Sequence, residues 1–356
     1  VFEILRRIMH IKSEVFGLVN DVEVDLFTLS NENGVTVKLT NYGGVITSVE
    51  TPDKAGNIKN ITLGFDSLEE YLAPNYLNSY PYFGALIGRV GNRVSNGEIT
   101  VEGTTYNLPK NAGVDHLHGG NIGFDRKIWE ASTFQKEKVV GVELKYLSKD
   151  GEEGYPGNLS VKIVYSLTDK NEFFVKYYAE TDKVTPVNMT QHAYFNLGDE
   201  TTVLNHQLHV NSFEITETSE AHIPTGKMLQ VVDTPWDFRI KKRIGRDFHL
   251  IERGYDNNYS LNNLNGAFVK AAELSEDTSG RMLEVFTTQV GMQLYTGYYN
   301  PELEVDGETK FGRYSGVALE TQHYPDAVNQ KHFPNTILRP GERFEQKTLF
   351  KFSVQK

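Results

Sequence analysis

Hydrophobic and polar residues alternate one by one along most of the chain, in short runs that end at Gly, Asn, Asp or Pro. In VTVKLTNYGGVITSVETPDKAGN, residues 35–57, Val35, Val37 and Leu39 alternate with polar positions, and the polar segment Pro52–Asn57 ends the second run. In GNLSVKIVYSLTDKNEFFVKYYAET, residues 157–181, alternating runs flank a polar LTDKNEF turn. Period two marks strands with one buried face, and such polar clusters form turns, so both stretches predict hairpins. Helical spacing is scarce. DSLEEYL, Asp66–Leu72, predicts one short helix with Asp66 as N-cap and Glu69 in the capping-box position. This rhythm continues from about Val35 to the end without a linker or repeat. The expectation is therefore one all-β domain over residues 1–356, a large β-sandwich with few short helices. A sandwich is preferred to a barrel because stacked sheets cover many strands without closure.

One predicted strand has an unusual polar face. In VNMTQHAYFNL, Val187–Leu197, alternation sends Val187, Met189, Ala193, Phe195 and Leu197 to one side. Asn188, Thr190, His192, Tyr194 and Asn196 go to the other, a row of hydrogen-bonding groups that a purely structural strand does not need.

Composition narrows the function. The 356 residues carry a formal net charge of −11 with both signs interspersed, which argues against a phosphate-backbone surface and hence against nucleic acid. Cysteine is absent, so disulfides and thiolate metal sites are excluded. The N-terminal VFEILRRIMHIKSEVFG holds two arginines and no unbroken apolar stretch of signal-peptide or membrane-span length. A cytoplasmic protein is expected, with residues 1 to about 12 an N-terminal extension and an original start at Met9.

Neither a Gly-x-Gly-x-x-Gly nor a Gly-x-x-x-x-Gly-Lys-Ser/Thr motif occurs, so dinucleotide and nucleoside-triphosphate machinery is not expected. In DHLHGG, His116 and His118 would point the same way on a strand. As a metal pair they lack visible further ligands, so one packed and one hydrogen-bonding imidazole is the preferred reading. GRVGNRVSNGEI, residues 88–99, presents Arg89, Asn92 and Arg93 on a glycine-rich backbone. Arg89 is read as either a solvated surface residue or a structural clamp on carbonyls, and Arg93 suits recognition of hydroxyls or carboxylates. In SGVALETQHYPDAVN, Glu320 shares a strand face with Gly316, Ala318 and Gln322. Those small residues suggest room for a ligand, and burial should push the Glu320 carboxyl upward, toward a base active near neutrality. GMQLYTG sets Gln293 and Tyr295 opposite Met292 and Leu294, and RGYDNNYSL offers Asp256 as an acceptor after a turn.

Together these segments resemble one family, the galactose mutarotases or aldose 1-epimerases. GRVGNRVSNG, LHGGNIGFDRKIW, VNMTQHAYFNL, GYDNNY, GMQLYTG and ALETQHYPDAVN follow the family's order from roughly Val35 to Phe352. The resemblance implies a β-sandwich whose groove binds a free pyranose, D-galactose or D-glucose above all, and interconverts its anomers without metal or organic cofactor. It makes Glu320 the general base and His192 the general acid, with Asn92, Arg93, His118, Asp256 and Gln293 as sugar contacts. Tyr194 would line the site, and of Tyr194 and Phe195 alternation favours Tyr194 as an aromatic platform for the apolar face of the ring. For His192 to act as an acid near neutrality, the charge of Glu320 or Asp256 should raise the imidazole pKa. The expected partner is a monosaccharide, with no membrane or nucleic acid, and the protein is expected to be a monomer or homodimer. The sequence departs from the family at Asn257, where His commonly follows the Asp, and at Gly91, where Ala is frequent. A hexose-6-phosphate epimerase, a glycoside hydrolase using Glu320 with Asp256, and a non-catalytic carbohydrate-binding protein are the alternative readings.

Overall fold

The computed structural model describes residues 9–305, 308–309 and 311–355. Residues 1–8 of the expected extension lie outside that set. Met9 is buried and His10 already opens the first strand, so residues 9–12 belong to the folded body.

Three larger sheets, all antiparallel, organise the chain. The first joins His10–Val19, Val22–Ser30, Thr36–Thr40, Ile46–Pro52 and Ile58–Asn60 in chain order. Its opening hairpin lies ahead of the stretch in which alternation was recognised. Asn20 and Asp21 form its two-residue turn with φ of 50° and 63°, a conformation that Asn and Asp tolerate and that matches the twist of paired strands.

A nine-stranded sheet runs in the order Glu130–Lys136, Val139–Ser148, Leu159–Thr168, Glu172–Thr181, Phe344–Val354, Arg281–Thr287, Val269–Ser275, Gln207–Val210 and Lys242–Arg243. The turn predicted within LTDKNEF joins two of these strands, and the turn at Pro52–Asn57 is likewise present. A six-stranded sheet runs Tyr194–Phe195, Val317–Gln322, Gly291–Tyr295, Asp256–Ser260, Glu214–Thr218 and Pro224–Gln230.

Alternation decides what these sheets bury. Val317, Leu319, Met292, Leu294, Phe195 and Tyr259 share one face of the six-stranded sheet and join a buried cluster with Val161, Ile163, Val175, Val285 and Phe350 of the nine-stranded sheet. The rings of Phe195 and Phe350 meet across the interface at 5.3 Å. Burying side chains of this size contributes roughly 1.5–3 kcal/mol each, so this contiguous layer is the main source of stability. The β-sandwich architecture expected from the alternation is present.

The helix forecast is shifted by one residue. Ser67, not Asp66, caps the helix Leu68–Leu72, and its partner in the capping box is Glu70 rather than Glu69. Serine and glutamate three apart satisfy the box one register later. A second short helix, Pro74–Ser79, follows at once with Pro at its first position. No helix among the described residues is long and apolar enough to cross a membrane.

Candidate active site

The opposite face of the six-stranded sheet carries the polar residues. Cross-strand pairing aligns Asn258, Gln293 and Glu320 in one row, and Asp256, Tyr295, Ala318 and Tyr194 in the next. Because paired residues share a face, all of these side chains point away from the main core. A cavity of about 320 Å³ lies over them, within the usual size range for small-ligand sites. Asn92, Arg93, His118, His192, Tyr194, Asp256, Gln293 and Glu320 all line it. The structure thus gathers the whole set proposed from sequence.

His192 reaches the cavity by a route that a continuous strand would not provide. Val187–Leu197 is not one strand: Thr190–Gln191 pairs with Leu86–Ile87, whereas Tyr194–Phe195 pairs with Val317–Ala318. The chain changes partners at His192, whose N–H donates to Ala85 O and whose carbonyl accepts from Gly84 N–H. The polar row is also mostly structural. Asn188 bonds the backbone of His323, Asn196 bonds Ser315 O, and the Tyr194 hydroxyl donates to Pro81 O. His192 and the ring of Tyr194 are the members that face the cavity.

His192 Nε2 lies 3.5 Å from Glu320 Oε1. Both side chains are nearly inaccessible, and Glu320 Oε2 and His192 Nδ1 have no partner among the described residues. Burial raises the Glu320 carboxyl well above the ordinary carboxylate range, with the charge of Asp256 adding to the effect, in line with expectation. His192 departs from expectation. Burial pushes its imidazole down to about 4, opposed by a backbone hydrogen bond that offsets only part of the loss of water.

His118 follows the two-residue strand His116–Leu117 in a left-handed conformation, φ 50°. Its Nδ1 accepts the Asn92 N–H at 3.1 Å, so a neutral ring carries its proton on Nε2. Burial, and then the nearby His192 and Arg93, hold its pKa well below the ordinary histidine value. His118 is therefore a neutral hydrogen-bond donor. The turn in the backbone separates it from His116, whose Nδ1 contacts Pro109 O and whose Nε2 contacts the Tyr155 hydroxyl. This is the packed-and-bonded reading of the pair, although the two rings do not point the same way. Among the described residues no three His, Asp or Glu side chains gather as a metal site.

Asn92 spends its side-chain oxygen on the Arg93 N–H at 2.8 Å, leaving its amide nitrogen for a ligand. Among the described residues the Arg93 guanidinium makes no hydrogen bond or ion pair and is the one Lys or Arg side chain lining the cavity. Arg89 is the opposite case. It is buried, and its forked nitrogens bond the carbonyls of Ser148, Lys149, Pro156 and Gly157, so of its two readings the clamp holds and the solvated surface residue does not. Gln293 Nε2 donates to Asp256 Oδ1 at 2.6 Å.

The small residues beside Glu320 do not create the ligand space. A Cβ on Gly316 would lie 2.9 Å from Leu63 and Tyr194, and Ala318 packs into a second apolar cluster with Phe83 and Tyr194. They admit the Tyr194 ring, which lies 4.9 Å from the His192 ring and supports it from beneath.

A family profile described as aldose 1-epimerase matches residues 25–351. The chain belongs to the aldose 1-epimerase family. It is 40% identical over 339 residues to galactose mutarotase from Bos taurus, covering 93% of this chain and 94% of that protein. It is 34% identical to aldose 1-epimerase from Escherichia coli, covering 93% and 95%. Among solved structures, galactose 1-epimerase from Lactobacillus acidophilus superposes with a TM-score of 0.85 at 28% identity, covering 98% of this chain and 100% of that one.

Several further residues of this epimerase-family cavity escaped sequence reasoning. Tyr80, Tyr82, Tyr299 and Asn300 also line it, all from loops. Tyr82 lies 4.7 Å from the His118 ring and 6.0 Å from that of His192. Being less buried than Tyr194, it is better placed to meet the apolar face of a sugar. The Tyr-Pro-Tyr run at 80–82 was its available signal. His222 approaches Asp256 from another hairpin, and nothing in the local sequence marks it.

Proposed function

We propose that the protein interconverts the α and β anomers of a free hexose in this cavity, with Glu320 as base, His192 as acid, and D-galactose or D-glucose as substrate. Membership of the aldose 1-epimerase family makes the chain an isomerase. The observation that supports these residue roles is the 3.5 Å separation of His192 Nε2 and Glu320 Oε1. A hemiacetal carries its hydroxyl and ring oxygen on the same carbon. The groups that serve those two oxygens must therefore be neighbours.

The proton from the C1 hydroxyl passes to Glu320 as the C1=O bond forms. The bond from C1 to the ring oxygen breaks, and its electron pair takes a proton from His192. Rotation about C1–C2 turns the aldehyde, and the reverse transfers close the ring on the other face. The pair begins and ends with one proton in total, which suits groups that burial drives in opposite directions. A high carboxyl value and a low imidazole value preserve this one-proton state over a broad pH span. In the empty cavity the proton favours the carboxyl group. Sugar hydroxyls donating to the unpartnered Glu320 Oε2 stabilise the carboxylate and shift the proton toward His192.

Arg93, the amide of Asn92, neutral His118 and Asp256 with Gln293 supply fixed donors and acceptors for the remaining hydroxyls. A polar site of this kind discriminates between epimers because the wrong one leaves buried groups unpaired. With Arg93 as the one Lys or Arg side chain on the cavity among the described residues, a free hexose is favoured over a hexose phosphate, whose charge calls for clustered cations. Polarimetry of freshly dissolved α-D-galactose and α-D-glucose tests the proposal. Added protein should hasten the approach to equilibrium rotation, and binding without acceleration would leave a carbohydrate-binding protein instead.

A further inference from the structure

His222 meets the proposed sugar site at the Asp256 carboxylate and beside the Tyr299 ring, 6.4 Å between ring centres. It lies in the turn between Glu214–Thr218 and Pro224–Gln230 with φ of 60°, a costly conformation for a residue with a side chain. Ser219 holds the turn closed: its N–H donates to Ile223 O at 2.9 Å, and its carbonyl accepts from His222 N–H at 2.9 Å. The imidazole thereby reaches across to Asp256, with Nδ1 3.5 Å from Oδ2.

Asp256 stands where the catalytic cavity meets a neighbouring surface cleft of about 420 Å³. Its Oδ1 is fixed by Gln293 from the catalytic side, whereas His222 stands beside Oδ2 from the cleft side. Asn257 cannot take the second role. It lies on the opposite strand face and accepts a hydrogen bond from Trp236 Nε1 at 2.7 Å. Without His222, Oδ2 would be free to turn toward water in the cleft.

We infer that His222 is a positioning residue that keeps the Asp256 carboxylate aimed into the sugar cavity, so that it controls substrate affinity without meeting the reacting atoms. Burial lowers the His222 pKa, opposed by Asp256 and reinforced by Arg93 and Arg253. These are the charged groups that act on the ring. A neutral imidazole with its proton on Nδ1 restrains Asp256 while leaving the carboxylate charge available to sugar hydroxyls.

This assignment rests on the proposed epimerase activity, and polarimetric kinetics of four proteins tests it. His222→Ala should raise KM about tenfold, the scale of one misaligned charged hydrogen bond, with kcat within about twofold of wild type. His222→Asn, which keeps an N–H donor near the place of Nδ1, should restore most of the affinity. In an Asp256→Ala background, His222→Ala should have no further effect. An unchanged KM in His222→Ala, failure of Asn to rescue, or an equal loss without Asp256 would overturn the role of His222. A wild-type protein that leaves mutarotation unaccelerated would instead overturn the epimerase proposal itself.

Discussion

His192 Nε2 and Glu320 Oε1 stand 3.5 Å apart at the floor of the cavity, although they come from distant parts of the chain. Neither position alone implies catalysis, but an acid and a base at this spacing can serve the two oxygens of one hemiacetal carbon. Replacing Glu320 by Gln keeps the shape and removes the proton acceptor. Turnover should fall by about 10²–10⁴-fold, the usual contribution of one positioned proton-transfer group. Sugar affinity, followed by calorimetry, should stay within a few-fold of wild type. Near-normal turnover would remove Glu320 from the mechanism.

The direction of the two pKa shifts sets the pH profile of kcat/KM, which reports the free enzyme. A second proton on the pair removes the base, and loss of the last proton removes the acid. Because burial holds His192 down to about 4, the acid limb should lie near that value rather than near the 6.5 of an exposed imidazole. The alkaline limb follows the Glu320 carboxyl, which burial raises well above the ordinary carboxylate range, so the maximum lies between the two limbs. An acid limb near 6.5 that disappears in His192→Asn would show that His192 titrates as a hydrated group.

Much of this arrangement was legible because a period of two survives translation into three dimensions. Once Glu320 and Gln293 are placed on strands, alternation alone puts them opposite Leu319 and Leu294, and the register makes them direct neighbours. For Arg89 the sequence left a solvated surface residue and a clamp open, and only its burial decides for the clamp. What alternation could not reach was contributed by bends. Tyr82, His118 and His222 all occupy left-handed conformations, which an alternating pattern does not register. His192 lies where the chain exchanges one strand partner for another. The fall in the His192 pKa was missed for a related reason, since neighbouring charges can be guessed from sequence while the depth of burial emerges only when the sheet is covered.

Arg93 offers a test of binding separate from chemistry. Its guanidinium faces the cavity without an ion-pair partner among the described residues, so the side chain is not required to neutralise a buried carboxylate. Arg93→Ala should raise KM by about 10- to 100-fold, the range for charged hydrogen bonds to a ligand, with a smaller change in kcat. A large fall in kcat at unchanged KM would instead assign the guanidinium to the transition state.

Arg89 should behave in the opposite manner. Its buried fork bonds four carbonyls and the Ser148 hydroxyl, so Arg89→Met leaves several acceptors unpaired at once. Destabilisation of about 3 kcal/mol or more is expected, the scale for losing one member of a buried charged network. Chemical denaturation would reveal it as a lower midpoint. A midpoint equal to wild type would mean that water or neighbouring side chains replace the lost donors.

Glu320 should also expose a conflict between activity and stability. Its folded pKa is raised, so the native state disfavours the ionised form more than the unfolded chain does. The sign of the linkage follows: the contribution of Glu320 is fully favourable below the unfolded value of 4.5 and is lost as pH rises toward the folded value. Glu320→Gln removes that loss because the amide never ionises. The variant should therefore melt above wild type at pH 8, by the equivalent of ~1 kcal/mol, the scale common when a functional polar group is neutralised. The gap should close as pH falls below 4.5, where wild-type Glu320 becomes protonated in both states. A constant gap at every pH would attribute the gain to packing, and a less stable variant at pH 8 would show that the carboxylate already has compensating partners in the empty cavity.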